Sequence, residues 1–168
     1  MTIPNSDVSN LAYSGLYSRT PKGRRAKDLE RVIAARVGRA IQALSVGTPE
    51  NSAVDRIFVR NGEAVAVAEI KSRDLSWAGL VEWGDLLLSE NKIISGREAA
   101  ISLSVPHVVF IHLVRDNSII FCKTCDSWGE PLIDYEVRNT RTQHGVYGGT
   151  ALRRNAYIPY NYFTHLYG

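Results

Sequence analysis

The sequence predicts an α/β domain, a mixed central β-sheet flanked by helices. Three observations carry that prediction. An amphipathic helical stretch near the start leads into a β-hairpin. Two helical stretches follow the hairpin. A continuous apolar strand then appears, with a second strand close behind it. Hairpins give antiparallel neighbours and long crossovers give parallel ones, so this order builds a mixed sheet. The 168 residues, 45% of them hydrophobic, suit one domain with a proper core. Its predicted extent is 20–168. Residues 1–19 carry Asn, Ser, Thr and Pro without a period and are expected to form a loose arm.

Thr20-Pro21 supplies a cap and a first helical residue, although Gly23 could delay the start. From Ala26 to Leu44 the apolar positions Leu29, Val32, Ile33, Val37, Ala40, Ile41 and Leu44 follow a 3.6-residue period. Gly47-Thr48-Pro49 is expected to end this helix. Val54–Arg60 and Ala64–Lys71 read as strands around an Asn61-Gly62 turn, a strong hairpin signal. Asp74-Leu75-Ser76 opens a second helix, with Trp77, Leu80, Val81, Leu87 and Leu88 on one side. Ser95 and Glu98 have capping-box spacing for a short helix to about Ser104, closed by Pro106. His107–Val114 is a continuous apolar strand, buried on both faces. Ile119–Lys123 is another strand. Residues 124–168 read as irregular, except for a short strand from Ala156 into a terminal turn or helix.

Composition narrows the function classes. No run of about 18 apolar residues spans a membrane. The polar start lacks the basic-then-apolar order of a signal peptide, so an intracellular, cytoplasmic protein is expected. Cys122 and Cys125 sit in Cys-x-x-Cys spacing, half of a zinc site or a redox pair. None of His107, His112, His144 and His165 is paired at ligand spacing, which favours two plain thiols at a strand end. Trp77, Trp83 and Trp128 read as packing residues. The net charge of +3 is mild, but its distribution is uneven. Arg19, Lys22, Arg24, Arg25 and Lys27 cluster early. Arg138, Arg141, Arg153 and Arg154 cluster late, among Tyr135, Tyr147 and Tyr157. Cations interleaved with aromatics suit a phosphate backbone and stacked bases, although charge runs are also ordinary solvated faces.

The second hairpin strand ends oddly. Val65-Ala66-Val67-Ala68 runs into Glu69-Ile70-Lys71, and Asp55 stands near the start of the partner strand. Alternation puts Glu69 and Lys71 on the face of Val65 and Val67. Charges continuing a buried row are costly unless paired or used. Two carboxylates about 4 Å apart repel by about 4 kcal/mol at an effective dielectric near 20. Asp55 and Glu69 together therefore call for a cation, and a divalent metal taking the Ile70 carbonyl as a further ligand answers the need. Lys71 would stand beside it, orienting a water or meeting developing charge. The plain alternative is a surface ion pair of Glu69 with Lys71 or Arg73.

Asp-x13-Glu-x-Lys on a hairpin, after an amphipathic helix with Glu30 at the edge of its stripe, resembles the PD-(D/E)XK nuclease superfamily. Val54-Asp55 stands where Pro-Asp is usual there. The resemblance runs from about residue 24 to 123 and implies a restriction-endonuclease-like core. It also implies that Asp55 and Glu69 hold Mg2+ or Mn2+, that Lys71 assists the attacking water, and that Glu30 completes the metal shell. Lys92, after the Glu-x-Lys strand, would face the substrate or else sit at a helix end near carbonyls. Arg24, Arg25, Arg153 and Arg154 would contact phosphates.

The function implied is a metal-dependent nuclease hydrolysing DNA phosphodiester bonds, a small stand-alone enzyme of the phage or resolvase type. As a homodimer it would set two cuts on a duplex. The alternative is a catalytically inactive nucleic-acid-binding or assembly protein on the same fold. The nuclease reading imposes a geometric demand. Regular pairing around a two-residue turn puts Asp55 opposite Ala68, on the wrong face from Glu69. The hairpin must therefore contain an irregularity, either a three-residue loop Asn61-Gly62-Glu63 or a bulge or twist near Val54–Arg56. It must also bring the two carboxylates within about 6 Å of each other, close enough for one ion.

Overall fold

The computed structural model describes residues 20–50, 52–143 and 149–167. The predicted N-terminal arm lies outside the described residues, as do Arg19, His144 and Tyr147. Helix α1 (Pro21–Ile41) starts where the cap signal puts it: the Thr20 side chain accepts from Gly23 N, and Gly23 causes no delay. It ends earlier than the apolar period suggests. Gln42 takes a left-handed conformation (φ 54°), and Leu44 leaves the helical stripe to open strand β1 (Leu44–Gly47). The Arg60 guanidinium caps the carbonyls of Ile41 and Gln42 from the neighbouring strand. Leu29 and Val32 are exposed, and the buried stripe is Ile33, Ala34, Val37 and Gly38.

Strands β2 (Arg56–Arg60) and β3 (Glu63–Arg73) form the expected hairpin. Asn61 and Gly62 both have positive φ, 52° and 80°, as a primed two-residue turn requires. The loop is thus not the three-residue one. Arg60 pairs with Glu63 and Val59 with Ala64, but Phe58 then pairs with Ala66. Val65 is the extra residue of a β-bulge. The irregularity exists, but it lies in β3 near the turn and not at Val54–Arg56. From there Ile57 pairs with Val67 and Arg56 with Ala68, and the face presented by Asp55 is inverted.

The second helix of the sequence reading is two elements. Helix α2 (Trp77–Trp83) stops at Gly84, which has φ 88°, and β4 (Asp85–Ser89) takes Leu87 and Leu88 into a strand. Helix α3 (Glu90–Leu103) then starts well before Ser95, so the Ser95–Glu98 pair lies inside it. Strand β5 (His107–Leu113) is buried at every residue, and β6 (Ser118–Cys125) turns back beside it. The supposed irregular tail holds β7 (Glu136–Gln143), β8 (Thr150–Pro159), a 3-10 turn at Tyr160–Tyr162, and β9 (Thr164–His165). The strand expected from Ala156 is the second half of β8, and the turn after it is the 3-10 turn; β7 and the first half of β8 were missed because Arg, Asn and Thr dominate them where apolar alternation was sought.

The main sheet has the order β1-β2-β3-β5-β6-β9, with only the β3–β5 pair parallel. One face buries Ile33, Ala34 and Val37 of α1 against Phe58, Ala68, Ile70 and Phe110. The other packs Leu80, Leu86, Leu88, Ile93 and Ile158 against Val109, Ile111 and Ile120, under a smaller sheet of order β4-β8-β7. No helix among the described residues is long and apolar enough to cross a membrane. Trp77 packs edge-on against Tyr160 and His165, whereas Trp83 and Trp128 are exposed, contrary to the packing role expected of them. Cys122 and Cys125 are buried free thiols on β6.

Where α3 crosses β5, a Cβ on Gly96 would fall 2.3 Å from the His107 ring, so only glycine lets the helix approach. His107 is fully buried, its Nδ1 2.6 Å from Thr124 Oγ1, and burial with nearby Lys92 pushes its pKa down from 6.5 to about 4. The unfolded chain therefore binds this proton first. The stabilising contribution is complete above pH 6.5 and is lost as pH falls towards about 4. Over that window His107 should cost about 3 kcal/mol of stability. Denaturant unfolding of the native chain and of His107→Gln, compared at pH 7 and pH 4.5, checks this: the variant should show the shallower loss.

Candidate active site

The site forms where β3 outruns one neighbour. β2 pairs with β3 only as far as Ala68, while β5 accompanies it to Arg73. Glu69 to Arg73 therefore have an open edge. Asp55 closes the first part of it. Its amide donates to Ala68 O at 3.0 Å, and its Oδ2 accepts from Ile70 N at 3.1 Å. A side chain thus takes the place of the missing strand, and it also fixes its own position.

The bulge puts Asp55 with Glu69 and Lys71 on the α3 side of the sheet. Lys71 Nζ lies 2.6 Å from Glu69 Oε1 and 3.6 Å from Asp55 Oδ2. Lys92, two residues into α3, approaches from above, 3.3 Å from Glu69 Oε2 and 3.8 Å from Asp55 Oδ1. Both carboxylates thus lie within reach of a single cation. Glu69 is fully buried, and no backbone or hydroxyl donor hydrogen-bonds either of its oxygens. Its partners among the described residues are the two ammoniums.

Burial and the neighbouring Asp55 outweigh the lysines at Glu69 and hold its carboxyl above the usual glutamate range. Asp55 goes the other way: burial would raise it, but Lys71, Lys92, the Ile70 N–H and Lys27 together pull it below its ordinary value. Burial would lower Lys71, yet Glu69 and Asp55 hold its ammonium above the ordinary lysine value, so it stays charged at neutral pH.

A cavity of about 410 Å3 opens onto this cluster, walled by Asp55, Ile70, Lys71 and Lys92 on one side and by Lys27 and Glu30 of α1 on the other. Glu30 reaches the cavity but is engaged, with Oε1 3.2 Å from Arg56 Nη2 and Oε2 3.4 Å from Lys27 Nζ. It shares no hydrogen bond or ion pair with Asp55 or Glu69. Glu50 lines the same cavity and was missed, because Thr48-Pro49-Glu50 reads only as a turn. Arg73 also lines it and was seen only as a surface partner for Glu69. Its guanidinium instead donates to the carbonyls of Ser72 and Leu87, tying β3 to β4.

The donor set suits a hard divalent cation: two carboxylates, one of them buried with no donor but ammonium, and the Ile70 peptide on an edge where no strand continues. Among the described residues no three His, Cys, Asp or Glu side chains converge to hold a metal unaided, so Ile70 or a released Glu30 would have to complete the set. Of the candidate phosphate contacts, Arg24 lines an adjoining cavity with Glu30 and Asp55, and Arg25 is exposed on the first turns of α1. Arg153 is exposed on β8. Arg154 is engaged by Glu90, with Nε to Oε2 at 2.6 Å.

No family model matches the chain, and no curated protein matches it in sequence. Among solved structures it is similar to Hjc, a Holliday junction resolvase from the archaeal hyperthermophile Archaeoglobus fulgidus, at a TM-score of 0.54 and 14% identity, over 84% of this chain and 92% of that one. A likeness at that identity is one of fold. The chain has the restriction-endonuclease-like fold that the Asp-x13-Glu-x-Lys pattern led one to expect.

Proposed function

We propose that this chain is a magnesium- or manganese-dependent nuclease that hydrolyses DNA phosphodiester bonds at the Asp55–Glu69–Lys71 cluster. The observation that carries the reading is the fully buried Glu69 carboxylate, without a neutral donor, beside a second carboxylate at the mouth of a solvent-open cavity. A core tolerates such a group only when the group is used or compensated. The fold shared with a Holliday junction resolvase supports a nuclease of this class and makes branched DNA the first substrate to try.

Asp55, Glu69 and the Ile70 carbonyl would hold the ion, with Glu30 joining if it leaves Arg56. When bound, the ion would supply Lewis-acid charge at the phosphate and a more acidic water. Lys71 stays protonated at neutral pH, so it serves as a positioned cation and not as a base. It would orient the attacking water and stabilise charge developing on the phosphate oxygens. Lys92 would contribute a second positive charge from α3. Arg24 and Arg25 at the start of α1 would contact phosphates, and a homodimer would place two clefts on one duplex.

One observation favours a second reading. Two carboxylates face two ammoniums, so the cluster is already electrically balanced without a metal. A binding protein on this fold with an inactive site would look the same. Two measurements separate the readings. Linear, circular and branched DNA should be cut with Mg2+ and left intact in EDTA. Lys71→Ala should lower cutting at least ~100-fold while DNA binding stays near native. Undiminished cutting in EDTA or by the variant would falsify the nuclease reading. The other readout is thermal unfolding. Saturating Mn2+ should stabilise the native chain by about 3 kcal/mol at 100 times its Kd, and should leave Glu69→Gln unshifted. An equal shift in both proteins would place the ion elsewhere.

A further inference from the structure

Arg153 and Arg154 are neighbours in sequence but differ in state. Strand alternation sends them to opposite faces of the β4-β8-β7 sheet, Arg153 to the face of its pair Thr140 and Arg154 to that of Asn139. Arg154 closes on Glu90, the first residue of α3, through both guanidinium and carboxylate atoms, at 2.6 and 3.3 Å. Arg153 is exposed and has no ion pair among the described residues.

The two arginines border a cavity of about 490 Å3 whose other walls are Ser89, Glu90, Asn91 and Ile94. Its position matters. Lys92 belongs to the wall of the catalytic cavity, and Glu90 and Asn91, immediately before it, belong to the wall of this one. The first turn of α3 is the partition between the two. A polyanion lying across this turn of α3 would touch both hollows. Glu90 alone would repel it there. Arg154 cancels that carboxylate, and Arg153 remains as the unmatched positive charge.

Building on the nuclease reading, we propose that the hollow at the edge of β8, beyond its last pair with β4 at Ser89–Asn155, is a subsite for a phosphate flanking the scissile one, in which Arg153 contacts the phosphate and Arg154 is a positioning residue that neutralises Glu90. The ligand is a DNA backbone phosphate, recognised by charge, so the subsite reads no sequence. The division of labour departs from the symmetrical role that the sequence suggests for the two arginines.

The test measures binding of a fluorescein-labelled DNA duplex in EDTA, where no cutting occurs, over a salt series. Arg153→Gln should weaken binding about 5- to 10-fold and reduce the log–log salt slope by about 1. Arg154→Gln should also weaken binding, by uncovering Glu90. The double variant Glu90→Gln/Arg154→Gln should return to within about twofold of native affinity, with the native salt slope. Native binding by Arg153→Gln would overturn the subsite. A defect of Arg154→Gln that Glu90→Gln leaves unrepaired would overturn its positioning role. Thermal unfolding of each variant separates these outcomes from loss of fold. The nuclease reading stands or falls separately. A native chain that binds in EDTA but does not cut with Mg2+ loses the nuclease and keeps the subsite, whereas one that cuts while Arg153→Gln binds normally loses the subsite alone.

Discussion

The buried carboxylate of Glu69 is the constraint from which the local architecture follows. Ionised and fully enclosed, it would cost several kcal/mol if left alone. The chain meets that cost with two lysines from different elements, Lys71 two residues along the same strand and Lys92 from the helix packed above. This fixes where α3 must begin. The helix starts early enough to bring Lys92 over Glu69, and it lies close enough on β5 that only glycine fits at position 96. It also fixes the character of β3, which is apolar from Ala64 to Ala68, has strands on both sides at Val67 and Ala68, and carries charge as soon as β2 is gone.

The second constraint is one of register, and a single residue satisfies it. Without the extra Val65, Asp55 and the β2 residues from Arg56 to Phe58 would face the other way relative to β3, and Asp55 would lie on the opposite face from Glu69. The bulge leaves the tight Asn61-Gly62 turn undisturbed and still puts Asp55 beside Glu69. Asp55 then does two things with one side chain. Its Oδ2 accepts the Ile70 amide that a longer β2 would have bonded, and its Oδ1 stays turned to the cavity. The same hydrogen bond helps keep the carboxyl ionised against burial. Fold closure and site chemistry therefore share an atom group, so changes at Asp55 act on both.

Much of this was legible in the sequence because the signals are local. The Thr20-Pro21 cap, the Asn61-Gly62 turn, the apolar run of β5 and the Asp-x13-Glu-x-Lys spacing each depend on residues near one another. The need for an irregular hairpin followed from counting alternation, but its position did not, since Val65 looks like any strand valine. The failures arise where local signals mislead or fall silent. Leu44, Leu87 and Leu88 fit a helical period by chance, and tertiary pairing puts them in strands instead. Strand β7 and the first half of β8 are polar because both of their faces meet solvent, as at Asn139, Arg141, Arg153 and Arg154, so no apolar alternation marks them. Glu50 and Arg73 reach the cavity only through the path of the folded chain. The engagement of Glu30 by Arg56 and of Arg154 by Glu90 likewise joins residues far apart in sequence.

Charge around the cavity suggests how the parts would work together. Lys71 and Lys92 balance Asp55 and Glu69, while Lys27 and Arg56 balance Glu30. A polyanion approaching the centre therefore finds little net attraction there. Its hold must come from the periphery, where Arg25 and Arg153 carry no opposing carboxylate among the described residues. On the proposed reading, a divalent ion would change that balance by adding positive charge at the centre of a ring already suited to phosphates. Ion and nucleic acid would then bind with positive coupling, each raising the other's affinity by the same factor. The lysines that make the empty cluster stable in a folded chain are also what keep it from attracting substrate strongly before the ion arrives.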